Sequence, residues 1–95
     1  MPVITHIVLF RLTDKADAAA AAAQLRSLEG KIPSLRSLEV GINVVDSDRA
    51  HDVSIMTTFD DLAGLKEYAD HPEHQPVVQW MRARTASSAA VDYES

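Results

Sequence analysis

Between Phe59 and Trp80 the chain sets Tyr68, His71 and His74 around a helix break at Pro72. A histidine is the usual general base near neutral pH, which makes His74 the first candidate for chemistry. Tyr68 stands three residues after Leu65, at the edge of an apolar stripe, so its ring is expected to be buried and its hydroxyl to need a partner. Two more candidates come from the ends of the chain. His6 lies in an apolar run near the start, and a buried histidine needs a hydrogen-bond partner. Asp92, near the end, can reach His6 or orient His74 if the last strand lies beside the first. Each residue also has a plainer role open to it. His74 can pack or cap at a helix start, Tyr68 can bond backbone from the core, and His6 with Asp92 can be a structural pair. His71 and His74 have a spacing that serves metals, and Asp70 and Glu73 could add oxygen ligands. Pro72 disturbs the register and no cysteine or third histidine is near, so no metal site is assigned. His71 is expected instead to bond backbone carbonyls at the helix end. No nucleophile triad, glycine-rich phosphate loop or dinucleotide fingerprint occurs, and no cofactor is expected.

The elements that must position these residues follow from periodicity. Asp60 and Asp61 are capping residues for a helix with Leu62, Leu65 and Ala69 on one face. That helix must stop at Asp70-His71, because Pro72 disfavours the α conformation just before it. A second short helix begins near Glu73 and carries Val77, Val78 and Met81. Upstream, Val3 to Leu12 reads as a strand with both side-chain sets largely apolar, hence buried on both faces. Thr13-Asp14 ends it and caps an alanine-rich helix whose stripe is Ala18, Ala21, Ala22, Leu25 and Leu28. Gly30 suits the position after its C-terminus. Ser37 to Val45 and Asp52 to Phe59 alternate as strands, and a last strand is expected around Ser88 to Tyr93. The order β-α-β-β-α-β is the split βαβ, or ferredoxin-like, pattern of the α+β class, a four-stranded antiparallel sheet with helices on one face. The other face then lacks cover. Val8, Phe10, Leu12 and Met56 are expected there, packed against a second copy in a symmetric homodimer. If that face lines the resulting barrel, His6 sits inside with Val8 and Phe10. These two and Trp80, at a pocket mouth, are the candidate ligand-lining residues.

The 95 residues suffice for one domain, 1–95, and 46% are hydrophobic. A chain this short is marginal alone and gains from a partner. The formal net charge of −5 argues against nucleic acid and anionic membranes as partners. No apolar run approaches a membrane span, and Met1-Pro2-Val3-Ile4-Thr5 lacks the basic start of a signal peptide, so a cytoplasmic location is expected.

Thr5-His6-Ile7-Val8-Leu9-Phe10-Arg11-Leu12, Glu39-Val40-Gly41, Phe59 with Leu62, Leu65 and Tyr68, His71-Pro72-Glu73-His74, and Val91-Asp92-Tyr93 together resemble the stress-responsive A/B barrel (Dabb) domain. The resemblance covers nearly the whole chain. It implies a homodimer whose two sheets face each other as a dimeric α/β barrel. One plant member of that family is a polyketide cyclase that closes a ring by intramolecular aldol condensation. Its catalytic tyrosine and histidine match Tyr68 and His74 by spacing, and its pocket histidine and late aspartate match His6 and Asp92. The resemblance thus implies a small hydrophobic or polyketide-like ligand, with His74 as general base and Tyr68 as oxyanion donor. A dimer that binds a ligand without reaction, a cyclase or isomerase, and an oligomerising stress protein whose histidines only hold the barrel closed all fit these residues.

Overall fold

Strand β1 (Ile4–Leu12) is apolar on both sides because it is a central strand. The computed structural model describes residues 2–95. After β1 come a short 3-10 turn (Lys15–Asp17), α1 (Ala18–Arg26), β2 (Ser37–Ile42), β3 (Val53–Phe59), α2 (Leu62–Asp70), α3 (Gln75–Arg82) and β4 (Thr85–Glu94). The four strands form one sheet in the order β2-β3-β1-β4, every neighbouring pair antiparallel. This is the ferredoxin-like α+β fold that the sequence pattern predicts, its second helical segment split in two at Pro72.

Residues paired across an antiparallel ladder share a face. Opposite β1, Phe59 pairs with Ile4, Thr57 with His6, Ile55 with Val8 and Val53 with Phe10. These residues look toward the helices. The core joins Ile4, Leu12, Val53, Ile55 and Phe59 to Ala21, Leu25 and Leu28 after the first strand and to Tyr68, Val77 and Met81 after the third. Ala21 and Ala22 are fully buried, so the alanine run is a packing surface that lets α1 approach the sheet closely. Gly30 has φ 80°, the left-handed conformation that ends the segment after α1. Between Arg11 and Leu12 the β1–β4 register shifts. There the buried Asp52 carboxylate accepts the Leu12 N–H at 2.7 Å, while its own N–H donates to the Phe10 carbonyl at 2.8 Å. The side chain thus supplies an acceptor that the ladder cannot.

Three expectations are corrected. Val8, Phe10 and Leu12 do not lie on the uncovered face: they point under the helices, and Leu12 is buried in the core. The uncovered face belongs to the other set, Ile7, Leu9 and Arg11, with Met56 opposite Ile7 and Val91 and Tyr93 on β4. When both sets of a strand are apolar, alternation says that two faces are buried but not which one the helices take; the pairing of Met56 with Ile7 decides it. Second, β2 ends at Ile42, and Val44 and Val45 stand exposed in the connection, where the Asn43 amide donates to the Val45 carbonyl at 2.9 Å. β4 begins at Thr85, earlier than expected, and is exposed along almost its whole length. Among the described residues no helix is long and apolar enough to cross a membrane.

Candidate functional site

A helix break delivers His74 to Tyr68. The Asp61 carboxylate caps α2 by accepting the Gly64 N–H at 2.8 Å. One face of α2 then carries Tyr68 into the core. At His71 the backbone turns extended (φ −65°, ψ 138°), as the residue before a proline must. The chain closes on itself with the His74 N–H donating to the His71 carbonyl at 3.0 Å. α3 starts at once, with Pro76 in its first turn, where a missing N–H costs nothing. His71 does not bond backbone carbonyls through its ring: its Nδ1 accepts the Glu73 N–H at 3.1 Å, which stiffens the break.

Tyr68 is 3% exposed. Its ring stacks on Phe59 with centroids 5.2 Å apart, meets the His74 ring at 4.3 Å and takes the His6 ring edge-on at 6.3 Å. Burial pushes the phenol up to about 12, so it is a neutral donor at any physiological pH. His74 Nδ1–H donates to the Ala69 carbonyl at 3.2 Å, which leaves Nε2 with the lone pair. Burial holds its pKa below the ordinary histidine value of 6.5, outweighing the Ala69 bond, and the nearby His6 and His71 push the same way. At neutral pH His74 is therefore an uncharged imidazole. On the facing strands, His6 pairs with Asp92 in the β1–β4 ladder, and its Nδ1–H donates to the Asp92 carboxylate. That bond likewise turns the second nitrogen of His6 away from the acid.

His6, Tyr68 and His74 line one cavity of about 420 Å³, half open to solvent. Val8, Phe10, Leu25 and Ile55 form its sheet and α1 walls, and Val77, Val78 and Met81 its α3 wall. The rim is Arg82 and the start of β4, a half-buried Thr85 followed by exposed Ala86, Ser87 and Ser88. A neutral base, a neutral donor and apolar walls suit a small, largely apolar molecule with a carbonyl oxygen. A second hollow of about 640 Å³, around Arg11, Lys15, Asp46 and Asp52, is a polar surface depression without histidine or tyrosine. Among the described residues no three histidines, cysteines or acids are grouped to hold a metal ion.

Of the candidates, the structure brings His6, Tyr68 and His74 together, attaches Asp92 to His6, and sets Val8 and Phe10 in the walls. Trp80 is not in the lining. It is half-buried against the core, with the Arg84 guanidinium 4.0 Å from its ring centre. Sequence reasoning missed Arg82 and the Thr85–Ser88 rim. The signal for Arg82 was available: His74, Val77, Val78, Met81 and Arg82 recur on one helical face. None existed for the rim, whose small residues gain meaning only from the strand's place at the sheet edge.

A ferredoxin-like sheet with an apolar cavity under its edge and a tyrosine–histidine pair at one end defines the class. The family model for the stress responsive A/B barrel domain matches residues 4–95, and the chain belongs to that family. An uncharacterized protein of Streptomyces coelicolor is 36% identical over 96 residues, covering 96% of this chain and 98% of that protein. Among solved structures, a dimeric protein of unknown function and ferredoxin-like fold from Bacteroides fragilis is 32% identical, with a TM-score of 0.84 over 98% of this chain and 96% of that one. A dimeric ferredoxin-like protein of unknown function from Thermobifida fusca is 25% identical, with a TM-score of 0.85 over 97% and 90%.

Proposed function

We propose that this protein is a homodimer in which each protomer's cavity binds one small, largely apolar molecule through a carbonyl group. The observation that carries the ligand is the Tyr68–His74 contact at 4.3 Å opening onto a cavity of about 420 Å³. Apolar walls give affinity by burial, and a few convergent polar groups orient the ligand. The dimer rests on the bare sheet face, where Leu9, Met56, Val91 and Tyr93 are all at least a third exposed. Soluble monomers rarely leave such a face open, and stacking it on a second copy would close an α/β barrel. The dimeric relative from Bacteroides fragilis supports this. Binding is tested by NMR titration with a medium-chain β-diketone. Saturable shifts at His6, Tyr68 and His74 are expected, and shifts absent from all three would overturn the reading.

A second reading follows from the protonation states. His74 Nε2 takes a proton from the carbon between two carbonyls, while the Tyr68 O–H donates to the oxygen that becomes the enolate. Returning that proton elsewhere gives an isomerase. Attack of the carbanion on another carbonyl of the same molecule gives a polyketide cyclase-like aldol closure. His6, held by Asp92, supplies a second polar contact. In D₂O, wild type should speed deuterium incorporation at the carbon between the carbonyls of a medium-chain β-diketone, and His74→Gln should abolish the acceleration. Equal rates with the two proteins would leave binding as the function.

A further inference from the structure

The charge of the cavity runs against that of the molecule. The chain carries a formal net charge of −5, yet among the described residues no carboxylate lines this space. Its one permanently charged lining group is the Arg82 guanidinium. Several cations elsewhere are paired: Lys15 with Asp46, Lys66 with Asp70 and Arg36 with Asp60. Arg84 stacks over Trp80 and donates to its carbonyl at 3.1 Å. Arg82 takes part in no ion pair among the described residues. Its place follows from α3. His74 stands at the start of the helix and Arg82 at its last turn, with Val77, Val78 and Met81 between them along the cavity wall. At 1.5 Å per residue the two polar ends lie about 12 Å apart along the axis.

We propose that the ligand is an amphipathic carboxylate. Its head group sits on the Arg82 guanidinium, its carbonyl reaches Tyr68 and His74, and the chain between them crosses Val77, Val78 and Met81. The inference rests on the reading of the cavity as a carbonyl-binding site and names the substrate class for it. A guanidinium is a planar fork that takes both oxygens of a carboxylate. Ser88, on the same sheet face as Phe10, adds a hydroxyl at the rim. The opposite end offers a neutral phenol and a neutral imidazole, which suit a carbonyl and leave the acid to the arginine.

An arginine in the last turn of a helix also complements the helix dipole. Stability reads that role, but the choice between two ligands does not. Calorimetry therefore compares two probes, a decanoate chain ending in a methyl ketone and its neutral methyl ester. The acid should bind wild type about tenfold more tightly than the ester, as a charge-assisted contact at a rim predicts, with the advantage shrinking at high salt. Arg82→Gln should remove the preference, bringing the affinity for the acid down to that for the ester. Equal binding of acid and ester to wild type overturns the inference and leaves the carbonyl-site reading standing. A preference that survives Arg82→Gln overturns it too. If neither probe binds wild type, both the inference and the reading fall. The wild-type ratio at low and high salt carries the test should the variant not fold.

Discussion

In the proposed role of base, His74 gains from burial, which keeps it uncharged when a solvated histidine would be partly protonated. Its folded pKa is below the ordinary 6.5, so between those values the unfolded chain binds more protons. Stability there rises with pH: the contribution is complete above 6.5 and is lost as pH falls through the folded value. Thermal melts of wild type taken from about pH 7 down to about pH 5 should show a falling midpoint, and His74→Gln should flatten part of that fall. Superimposable pH profiles would remove the argument for a desolvated base. At this scale the sequence was informative about identity and silent about geometry. His74, Tyr68 and His6 could be picked out by type. That the Nδ1 of His74 is taken up by the Ala69 carbonyl, and that of His6 by Asp92, depends on a helix break and a strand register.

The elements matter as mounts for these side chains. α2 carries Tyr68 and is held at its start by one hydrogen bond, from the Gly64 N–H to the Asp61 carboxylate. Asp61→Ala should destabilise the fold by about 1 kcal/mol, read from denaturant midpoints with an unchanged slope. It should weaken ligand binding less than a change at Tyr68 does, because the packed ring stays in the core. Urea curves that coincide with wild type would show the cap to be idle. The helix break was legible from Pro72 alone, and the start of α2 from Asp60-Asp61, because both rest on local backbone rules. β2 was drawn too long for a related reason. Val44 and Val45 continue an apolar alternation, but the Asn43 N–H donating to the Asp52 carbonyl at 2.9 Å is the last tie to β3, and beyond it the Asn43 amide bonds the Val45 carbonyl and the chain bends away. Trp80 was misassigned by one helical position: the residues next to the cavity are Val77, Val78 and Met81, and one step of about 100° turns the indole away.

For the whole molecule, the question is what covers the second sheet face. Alternation in β1 announced two buried faces, and a chain short enough to be marginal alone pointed to self-association, but the two residue sets were exchanged. The proposed interface therefore falls on Leu9 and Met56, which are exposed, while Phe10 lines the cavity. Leu9→Asp sets a charge against the partner sheet without touching the helix-side core and should convert a dimer to a monomer by light scattering. A Leu9→Asp protein that still runs as a dimer would place the interface elsewhere. The net charge read from the sequence was also a poor guide to the cavity, because an average over the surface conceals a local lining without a single carboxylate among the described residues.

The most direct test of the central claim, a carbonyl-binding cavity beside Tyr68, is a calorimetric titration of a medium-chain β-diketone into wild type and Tyr68→Phe. Among the described residues the Tyr68 hydroxyl makes no hydrogen bond, and burial raises its pKa, so losing the hydroxyl should leave the fold and its melting temperature close to wild type. One molecule should bind each protomer, and Tyr68→Phe should bind it up to about tenfold more weakly, the worth of one hydrogen bond in a half-enclosed site. Equal affinity for the two proteins, or no binding to wild type, would contradict the account.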